Sequence, residues 1–415
     1  MTKVKLESSP YKGTRDFFPI NSLINSVSGD LHFMERQQFI FSKIQETLTV
    51  YGFSQYENSV IESAESFKIK SGGDLAGLQM YDFIDKGGRE ICLRPELTLS
   101  LARMVADKFG QLRFPLRWYT IGNCFRYERP QKGRTREFYQ AEVNIIGPKP
   151  GGADLEILIL AVEIMRNLGA GAGDFKLMYN HRGVLDLWAS ENNWTEKVRA
   201  GIFKVLDDWF KLDAKERFDS LSKFVSSGEI QNIFQVATKS GPGWDKYADI
   251  CQKFPEITLI QNVLEKKYPE FNIELSPAII RGQAYYTGMI FEIFDTDGGN
   301  SRSLFGGGRF DDLLDLYGKN APAVGFAPGL IPLNEFLIGH GFYPDFNEKG
   351  AGIEKTGLIP ENEKCLENLF ENIVPNLIGE GKKFDIDYDF DRSPRKRKES
   401  LLKRGCIEIV ECYPE

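Results

Sequence analysis

Apolar residues recur at helical spacing in several stretches of the chain. Between Leu31 and Val50 they recur every three or four positions, which predicts a helix ending at Tyr51-Gly52. Pro95–Phe109 and Leu155–Leu168 are predicted to be helical for the same reason. Residues 182–271 combine helical periodicity with little strand pattern, and this predicts a helical insertion.

Alternating polar and apolar positions predict strands elsewhere. Arg117–Tyr127 and Arg136–Ile146 alternate on either side of a turn, which predicts two paired strands. A second hairpin is predicted across Ile84–Leu93, with Gly87-Gly88 at its turn, and strands return in Ala278–Phe294. The pattern therefore indicates a strand-rich core interrupted by helices.

The last part of the chain predicts a separate module. Residues 342–355 contain Gly and Pro and are predicted to be a linker. Beyond them the pattern predicts a helix, a strand, a basic helix and a second strand, over Glu363–Gly379, Phe384–Tyr388, Ser393–Arg404 and Cys406–Val410. This order is typical of a small α/β domain.

Composition limits the class of protein. The chain has 415 residues, of which 42% are apolar, so more than one buried core is expected. The net charge of −7 excludes a generally basic nucleic-acid-binding protein, and any RNA contact must come from local patches. The six cysteines show no C-x-x-C spacing and are expected to be reduced, buried thiols. With no apolar run long enough to span a membrane, we expect a soluble, cytoplasmic protein.

One face of the predicted hairpin carries an unusual number of polar side chains. The period of two places on it Arg126, Glu128, Arg136, Gln140, Glu142 and Asn144. Unpaired charges are costly to bury, and the planar arginine side chain suits phosphates and carboxylates. This favours a wet binding cleft, and the alternative is a charged hairpin exposed to solvent.

Three other stretches carry candidate chemistry. Glu96 and Thr98 lie in the first turn of a predicted helix, where they could hold a substrate ammonium group or cap the helix. Glu292 lies among apolar residues and is either a site carboxylate or an outward-facing acid of an edge strand. Gly306–Arg309 permits close approach of a ligand to the backbone, or is a flexible turn.

Five stretches in this order resemble the histidyl-tRNA synthetase family of class II aminoacyl-tRNA synthetases. They are "YKGTRDFFP", "LRPELT", "FRYERPQKGRTREFYQ", "RGQAYYTG" and "GGGRFDDLL" followed by "PAVGFAPGL". The resemblance covers roughly residues 8–340. It implies an α+β fold in which a six-stranded antiparallel sheet is flanked by helices, with a helical insertion and a small C-terminal α/β domain.

The resemblance also implies domain bounds. It divides the catalytic core into residues 1–181 and 272–341, on either side of the insertion at 182–271. The linker at 342–355 would then lead to a shortened anticodon-binding-like domain at 356–415.

The activity implied by the resemblance is ATP-dependent formation of histidyl-adenylate and transfer of histidine to tRNA(His). Mg²⁺ bound through the ATP phosphates, rather than by protein side chains, and a homodimer are expected. Arg126 and Arg281 would be catalytic, and the ATP-binding residues would be Arg126, Glu128, Arg134 and Arg309. The residues implied to bind the amino acid are Glu96, Thr98, Gln140, Asn144, Tyr285 and Tyr286.

Two departures from the family pattern leave alternatives open. Asn144 stands where an acid usually contacts the imidazole ring, so we expect Asn144→Asp to improve discrimination for histidine. Residues 329–332 read Gly-Leu-Ile-Pro and lack the arginine common in the third class II motif. The alternatives are a non-catalytic regulatory subunit of the ATP phosphoribosyltransferase type, and a paralogue that activates another amino acid or loads another carrier.

Overall fold

The computed structural model describes residues 10–14, 32–70, 79–129, 135–280, 285–297, 303–344, 346, 355–404 and 406–413. The chain divides into two compact units. The first contains Met1–Arg15 and Phe39–Phe342, and the second contains Asp16–Gln38 and Tyr343–Glu415. Among the described residues, no helix has the length and apolar character needed to cross a membrane.

An eight-stranded sheet forms the centre of the first unit. In spatial order its strands are β1 (Ser54–Gln55), β5 (Leu116–Phe125), β6 (Glu137–Ile146), β11 (Ala323–Phe326), β10 (Phe305–Arg309), β9 (Met289–Asp295), β7 (Phe175–His181) and β8 (Asn272–Leu275). The six strands from β5 to β7 pair antiparallel, and the short strands β1 and β8 pair parallel at the two edges. The antiparallel sheet implied by the sequence is therefore confirmed.

The hairpin of β5 and β6 is the longest pairing in this sheet. Its register runs from Leu116 opposite Ile146 to Phe125 opposite Glu137, within two residues of the predicted strand bounds. Because the side chains of a strand alternate between faces, Gln140, Glu142 and Asn144 share one face of β6. The sequence-based expectation for this hairpin is confirmed.

The glycine-rich strand β10 corrects one of the two expectations for that stretch. Gly306–Arg309 is part of a fully buried strand between β9 and β11, not a flexible turn. A Cβ on Gly308 would lie 2.6 Å from the carbonyl oxygen of Met289, and one on Gly307 would collide with the backbone of Gly325. Glycine is required here because the neighbouring strands leave no room for side chains.

A small antiparallel sheet lies in the same unit, with strand order β2-β4-β3. Its strands are β2 (Ile61–Ser63), β3 (Tyr81–Ile84) and β4 (Glu90–Leu93). The turn between β3 and β4 contains Gly88 with φ of +76°, a left-handed conformation that favours glycine. The predicted hairpin is confirmed at this position.

Helices surround the large sheet. Those outside the insertion are α1 (Phe33–Val50), α2 (Ala64–Lys70), α3 (Thr98–Asp107), α4 (Gly152–Asn167) and α11 (Leu330–His340). Between β7 and β8 come α5 (Arg182–Glu191), α6 (Glu196–Asp207), α7 (Ala214–Leu221), α8 (Ser227–Ala237), α9 (Gly241–Gln252) and α10 (Pro255–Lys267). The apolar side of α4 packs against β11, and α11 packs against β6.

The second unit contains a parallel three-stranded sheet of order β13-β12-β14. Its elements are β12 (Lys355–Pro360), α12 (Cys365–Asn368), a π turn (Leu369–Ile373), α13 (Val374–Gly379), β13 (Lys383–Ile386), α14 (Pro394–Lys403) and β14 (Cys406–Cys412). The central strand β12 was not predicted, because its start was assigned to the linker. All six cysteines of the chain are buried free thiols.

Candidate active site

A cavity of about 210 Å³ opens in the first unit between α3, β6, β10 and β11. Its lining consists of Glu96, Thr98, Arg126, Gln140, Glu142, Tyr285, Tyr286, Leu304, Gly306, Phe310, Gly325, Phe326, Ala327 and Gly329. Six of these residues were predicted from the sequence as site residues, although they come from three separate stretches of the chain. The fold therefore brings the predicted stretches to one place.

Arg126 enters the cavity directly after strand β5. Its Nε donates a hydrogen bond to the carbonyl oxygen of Pro95 at 2.8 Å, and its guanidinium carbon lies 5.1 Å from the ring centroid of Phe138. Within the described part of the chain, its two terminal nitrogens have no hydrogen-bond partner. The base of the side chain is thus held in place while its charged end remains available to an anionic ligand.

Glu96 and Thr98 lie where α3 begins. Glu96 Oε1 accepts a hydrogen bond from the backbone N–H of Leu99 at 3.0 Å, so it caps the helix and also lines the cavity. Burial raises the pKa of Glu96, while the N–H of Leu99 and the charge of Arg126 oppose this rise. A ligand ammonium group would replace the water that this carboxyl loses on burial.

Glu142 is a cavity residue that the sequence placed on the polar face of the hairpin without assigning it a ligand-binding role. Its Oε1 accepts hydrogen bonds from Thr98 Oγ1 at 2.6 Å and from Asn144 Nδ2 at 3.2 Å. Burial, and secondarily the nearby charge of Glu96, raise the pKa of Glu142 to about 8. The alternation of β6 already placed this residue between two predicted site residues, and that was the signal available in the sequence.

Asn144, which was predicted to bind the amino acid, does not line the cavity. Its side chain is fully buried, and in the register of the sheet it lies between Trp118 and Gly325. A Cβ on Gly325 would collide with Asn144 Oδ1, so the side chain occupies the space left by this glycine. Asn144 instead supports the carboxyl group of Glu142.

Arg309 also lies outside the cavity, and its expected role in ATP binding is corrected. Its side chain is 1% exposed, and its five N–H groups donate to the carbonyl oxygens of Pro148 and Lys149 and to the carboxylates of Asp154 and Asp311. The bonds to Asp154 are bidentate, at 2.7 and 2.8 Å. Every donor of the guanidinium is thus already used within the fold.

Glu128 lies at a second cavity, of about 440 Å³, on the same hairpin. Its other lining residues are Lys12, Tyr127, Arg129 and Arg136. The guanidinium carbon of Arg136 lies 4.0 Å from the ring centroid of Tyr127. The predicted site residues Arg134 and Arg281 lie outside the described residues.

Sequence comparisons show that this chain is similar to a known family of proteins. Residues 31–333 match the family profile described as "Histidyl-tRNA synthetase". A histidine–tRNA ligase from Leptospira biflexa is 36% identical over 360 residues, covering 83% of this chain and 78% of that protein. One from Pyrococcus horikoshii is 32% identical over 388 residues, covering 91% of this chain and 84% of that protein.

Solved structures show the same fold. A histidyl-tRNA synthetase from a Nostoc species superposes with a TM-score of 0.76 at 21% identity, covering 99% of this chain and 92% of that one. A protein from Bacillus halodurans, titled ATP phosphoribosyltransferase regulatory subunit/histidyl-tRNA synthetase, superposes with a TM-score of 0.75 at 20% identity, covering 99% and 100%. At these identities the structures establish the fold alone.

Proposed function

The chain belongs to the histidyl-tRNA synthetase family, and we propose that it is the aminoacyl-tRNA ligase that activates histidine with ATP and transfers it to tRNA(His). The observation that carries this proposal is the cavity at which Arg126, the carboxyl groups of Glu96 and Glu142, and a pair of tyrosines meet. A site of this composition suits a small zwitterion with an additional polar ring, next to a phosphate.

In the first step, a carboxylate oxygen of histidine attacks the α-phosphorus of ATP. The bond to the bridging oxygen breaks, pyrophosphate leaves, and histidyl-adenylate remains. No protein nucleophile is needed, so catalysis depends on positioning and on stabilising the charge that develops at the phosphate. Arg126 is the cation of the cavity that fits this role, since its terminal nitrogens remain available. We propose that Arg281 also acts at the α-phosphate and Arg134 at the β- and γ-phosphates, as the family motifs imply.

In the second step, a hydroxyl group of the terminal tRNA ribose attacks the carbonyl carbon of the adenylate, and AMP leaves. The amino acid must stay fixed through both steps. We propose that Glu96, Thr98 and Gln140 hold its ammonium group, and that Tyr285 and Tyr286 lie along its ring. The two tyrosine rings lie 4.8 Å apart between their centroids, and each is 9% exposed.

ATP is proposed to extend from Arg126 toward the second cavity, where Glu128 would contact the adenine. Mg²⁺ is proposed to bind through the ATP phosphates, a mode that requires few protein ligands. Among the described residues, no group of three or more His, Cys, Asp or Glu side chains is arranged to hold a metal ion.

We further propose a homodimer and a cytoplasmic location. The support for the dimer is the edge strand β2, which pairs on one side with β4 and carries Ile61 at 52% exposure. An exposed strand edge with an apolar side chain favours pairing with another chain. The support for the location is the proposed tRNA substrate, and light scattering of the purified chain tests the dimer directly.

A non-catalytic regulatory subunit is the second candidate. Residues 329–332, Gly-Leu-Ile-Pro, favour it, because a phosphate-binding arginine common in the family is absent there. Arg126 opposes it, since a regulatory protein has no need for a preorganised cation at the α-phosphate. A paralogue that activates another amino acid is the third candidate, suggested by the amide at position 144 in the sequence; the enclosure of Asn144 away from the cavity opposes it.

ATP–pyrophosphate exchange with each of the twenty amino acids, followed by charging of total tRNA, separates these candidates. The proposal predicts exchange with histidine and subsequent charging of tRNA(His). Exchange with a different amino acid would select the paralogue. Absence of exchange with every amino acid would reject both enzymatic functions.

A further inference from the structure

Strand β6 offers two neighbouring side chains on the cavity side of the sheet, Glu142 and Asn144. The first of these positions carries a carboxyl group and the second an amide. The cavity lining includes Glu142 and excludes Asn144. Of the two, Glu142 is therefore the side chain that can contact a ligand in the cavity.

The two oxygens of Glu142 have different surroundings. Oε1 is held by Thr98 Oγ1 and Asn144 Nδ2, at 2.6 and 3.2 Å. Within the described part of the chain, no hydrogen bond reaches Oε2. Two donors on one oxygen fix the orientation of the carboxyl group, and the other oxygen is left for a ligand.

Asn144 cannot easily exchange roles with Glu142. It is completely enclosed, and its Oδ1 is buried against Gly325 without a hydrogen-bond partner among the described residues. Leaving such an oxygen unpaired costs free energy, which the hydrogen bond from Nδ2 to Glu142 partly offsets. Asn144 is thus a positioning residue that acts through Glu142.

The chemistry of the cavity selects an imidazole ring as the partner of Oε2. Neutral imidazole has one nitrogen that donates a hydrogen bond and one that accepts. A carboxyl group with a pKa raised to about 8 can meet either nitrogen, because it accepts when ionised and donates when protonated. The aromatic rings of Tyr286, Phe310 and Phe326 supply the flat apolar walls of the same cavity.

We infer that Oε2 of Glu142, held in place by Thr98 and Asn144, binds a ring nitrogen of the histidine substrate and determines the preference for histidine in this chain. This inference rests on the proposed function, since it assigns the ring-binding group of the same site. It transfers the specificity role from position 144 to position 142.

The test compares L-histidine with β-(2-thienyl)-L-alanine, whose ring has a similar shape but no N–H group. Dissociation constants are measured by calorimetry at about pH 9, above the pKa of about 8 at which the Glu142 carboxyl ionises, for the wild-type chain and for Glu142→Gln, which keeps the shape of the side chain and removes its charge. We expect histidine to bind roughly 10- to 100-fold more weakly to the variant, the effect of losing one charged hydrogen bond. Binding of the thienyl compound should stay unchanged, so the ratio of the two constants falls.

Two further variants separate the inference from a general loss of structure. Glu142→Asp retains the acid and should recover part of the histidine preference. Glu163→Gln removes a carboxylate on α4 that pairs with Arg166 and accepts from Tyr268 outside the cavity, and it should leave the ratio unchanged. The affinity for ATP serves as a check of folding in all variants.

Each outcome decides between explanations. An equal loss for both compounds would show that Glu142 acts on the shared ammonium group, and would overturn the inference. A ratio of the two dissociation constants that is unchanged in Glu142→Gln would also overturn it. If the wild-type chain nevertheless supports histidine-dependent exchange, the proposed function stands. If the wild-type chain neither binds histidine nor supports exchange with it, the proposed function fails and the inference fails with it.

Discussion

Arg309→Met is expected to destabilise the first unit strongly while leaving ATP binding intact. The substitution removes a guanidinium that is 1% exposed and leaves Asp154, whose side chain is fully buried, without its cation. The remaining partner of Asp154 is the backbone N–H of Gly151, at 2.6 Å. Burying this carboxyl group without its cation, and with little contact with water, costs free energy.

The magnitude follows from that geometry. Breaking a buried ion pair by removing one partner costs about 3–5 kcal/mol of the free energy of unfolding. The bonds from Arg309 to Pro148, Lys149 and Asp311 are lost as well, so we expect the upper end of this range. In the double variant Arg309→Met/Asp154→Asn, the amide can still accept from Gly151 and no charge is left buried. We expect this variant to recover much of the loss.

Urea unfolding followed by tryptophan fluorescence measures the effect. The five tryptophans of the chain, Trp118, Trp188, Trp194, Trp209 and Trp244, all belong to the first unit, so the signal reports on that unit. Calorimetry with ATP supplies the second measurement. Wild-type stability combined with a large loss of ATP affinity would refute the structural role of Arg309 and restore the role expected from the sequence.

Four further outcomes are expected. Arg126→Ala should lower the rate of histidine-dependent exchange by roughly 10²- to 10³-fold, the scale for removing one preorganised charge contact, and a rate near that of the wild type would exclude it from the α-phosphate. Asn144→Asp should weaken histidine binding rather than improve it, because it replaces the N–H donor to Glu142 with a second acid; tighter binding in calorimetry would contradict this. Since the pKa of Glu142 is higher in the folded chain than its ordinary value of 4.5, folding takes up a proton, and stability is lost as pH rises from that value to about 8. As pH rises across this range, the melting temperature of Glu142→Gln should therefore increase relative to that of the wild type. Parallel pH profiles of the two melting temperatures would contradict the raised pKa of Glu142. Gly325→Ala should cost about 1–3 kcal/mol, because its Cβ would meet the carbonyl oxygen of Val143 at 2.5 Å, whereas Gly110→Ala, with open space around it, should cost little in the same urea assay.

The sequence predicts local structure well wherever one periodicity is clear. The β5–β6 hairpin and helix α1 lie within two residues of their predicted bounds, since both have a regular pattern over ten or more residues. Strand β12 and strand β10 were not predicted. The first lies beside a linker-like composition, and the second is rich in glycine, which is usually rare in strands.

The reason for the glycines of β10 lies outside the strand itself. Gly308 lies against Met289 and Tyr286, which belong to a different segment of the chain. Gly307 lies against strand β11. A pattern within one segment contains no information about how closely its neighbours approach. Such contacts become visible only when the strand order of the sheet is known.

The candidate site was also predicted only in part from the sequence. The period of two correctly placed Gln140, Glu142 and Asn144 on one face, and the motif order placed Glu96 and Arg126 in the same site. The sequence could not show which residue on that face reaches the cavity, because this depends on how strand β11 pairs with strand β6. For Arg309, the partner Asp154 lies 155 positions away along the chain, and the sequence offered no sign of the pair.

The exchange of labelled pyrophosphate into ATP, measured with purified wild-type chain and L-histidine alone, tests the central claim most directly. We predict a rate that depends on histidine, saturates with its concentration, and is absent when any other amino acid replaces it. Failure of histidine to stimulate exchange, under conditions in which the chain is folded and binds ATP, would contradict the account.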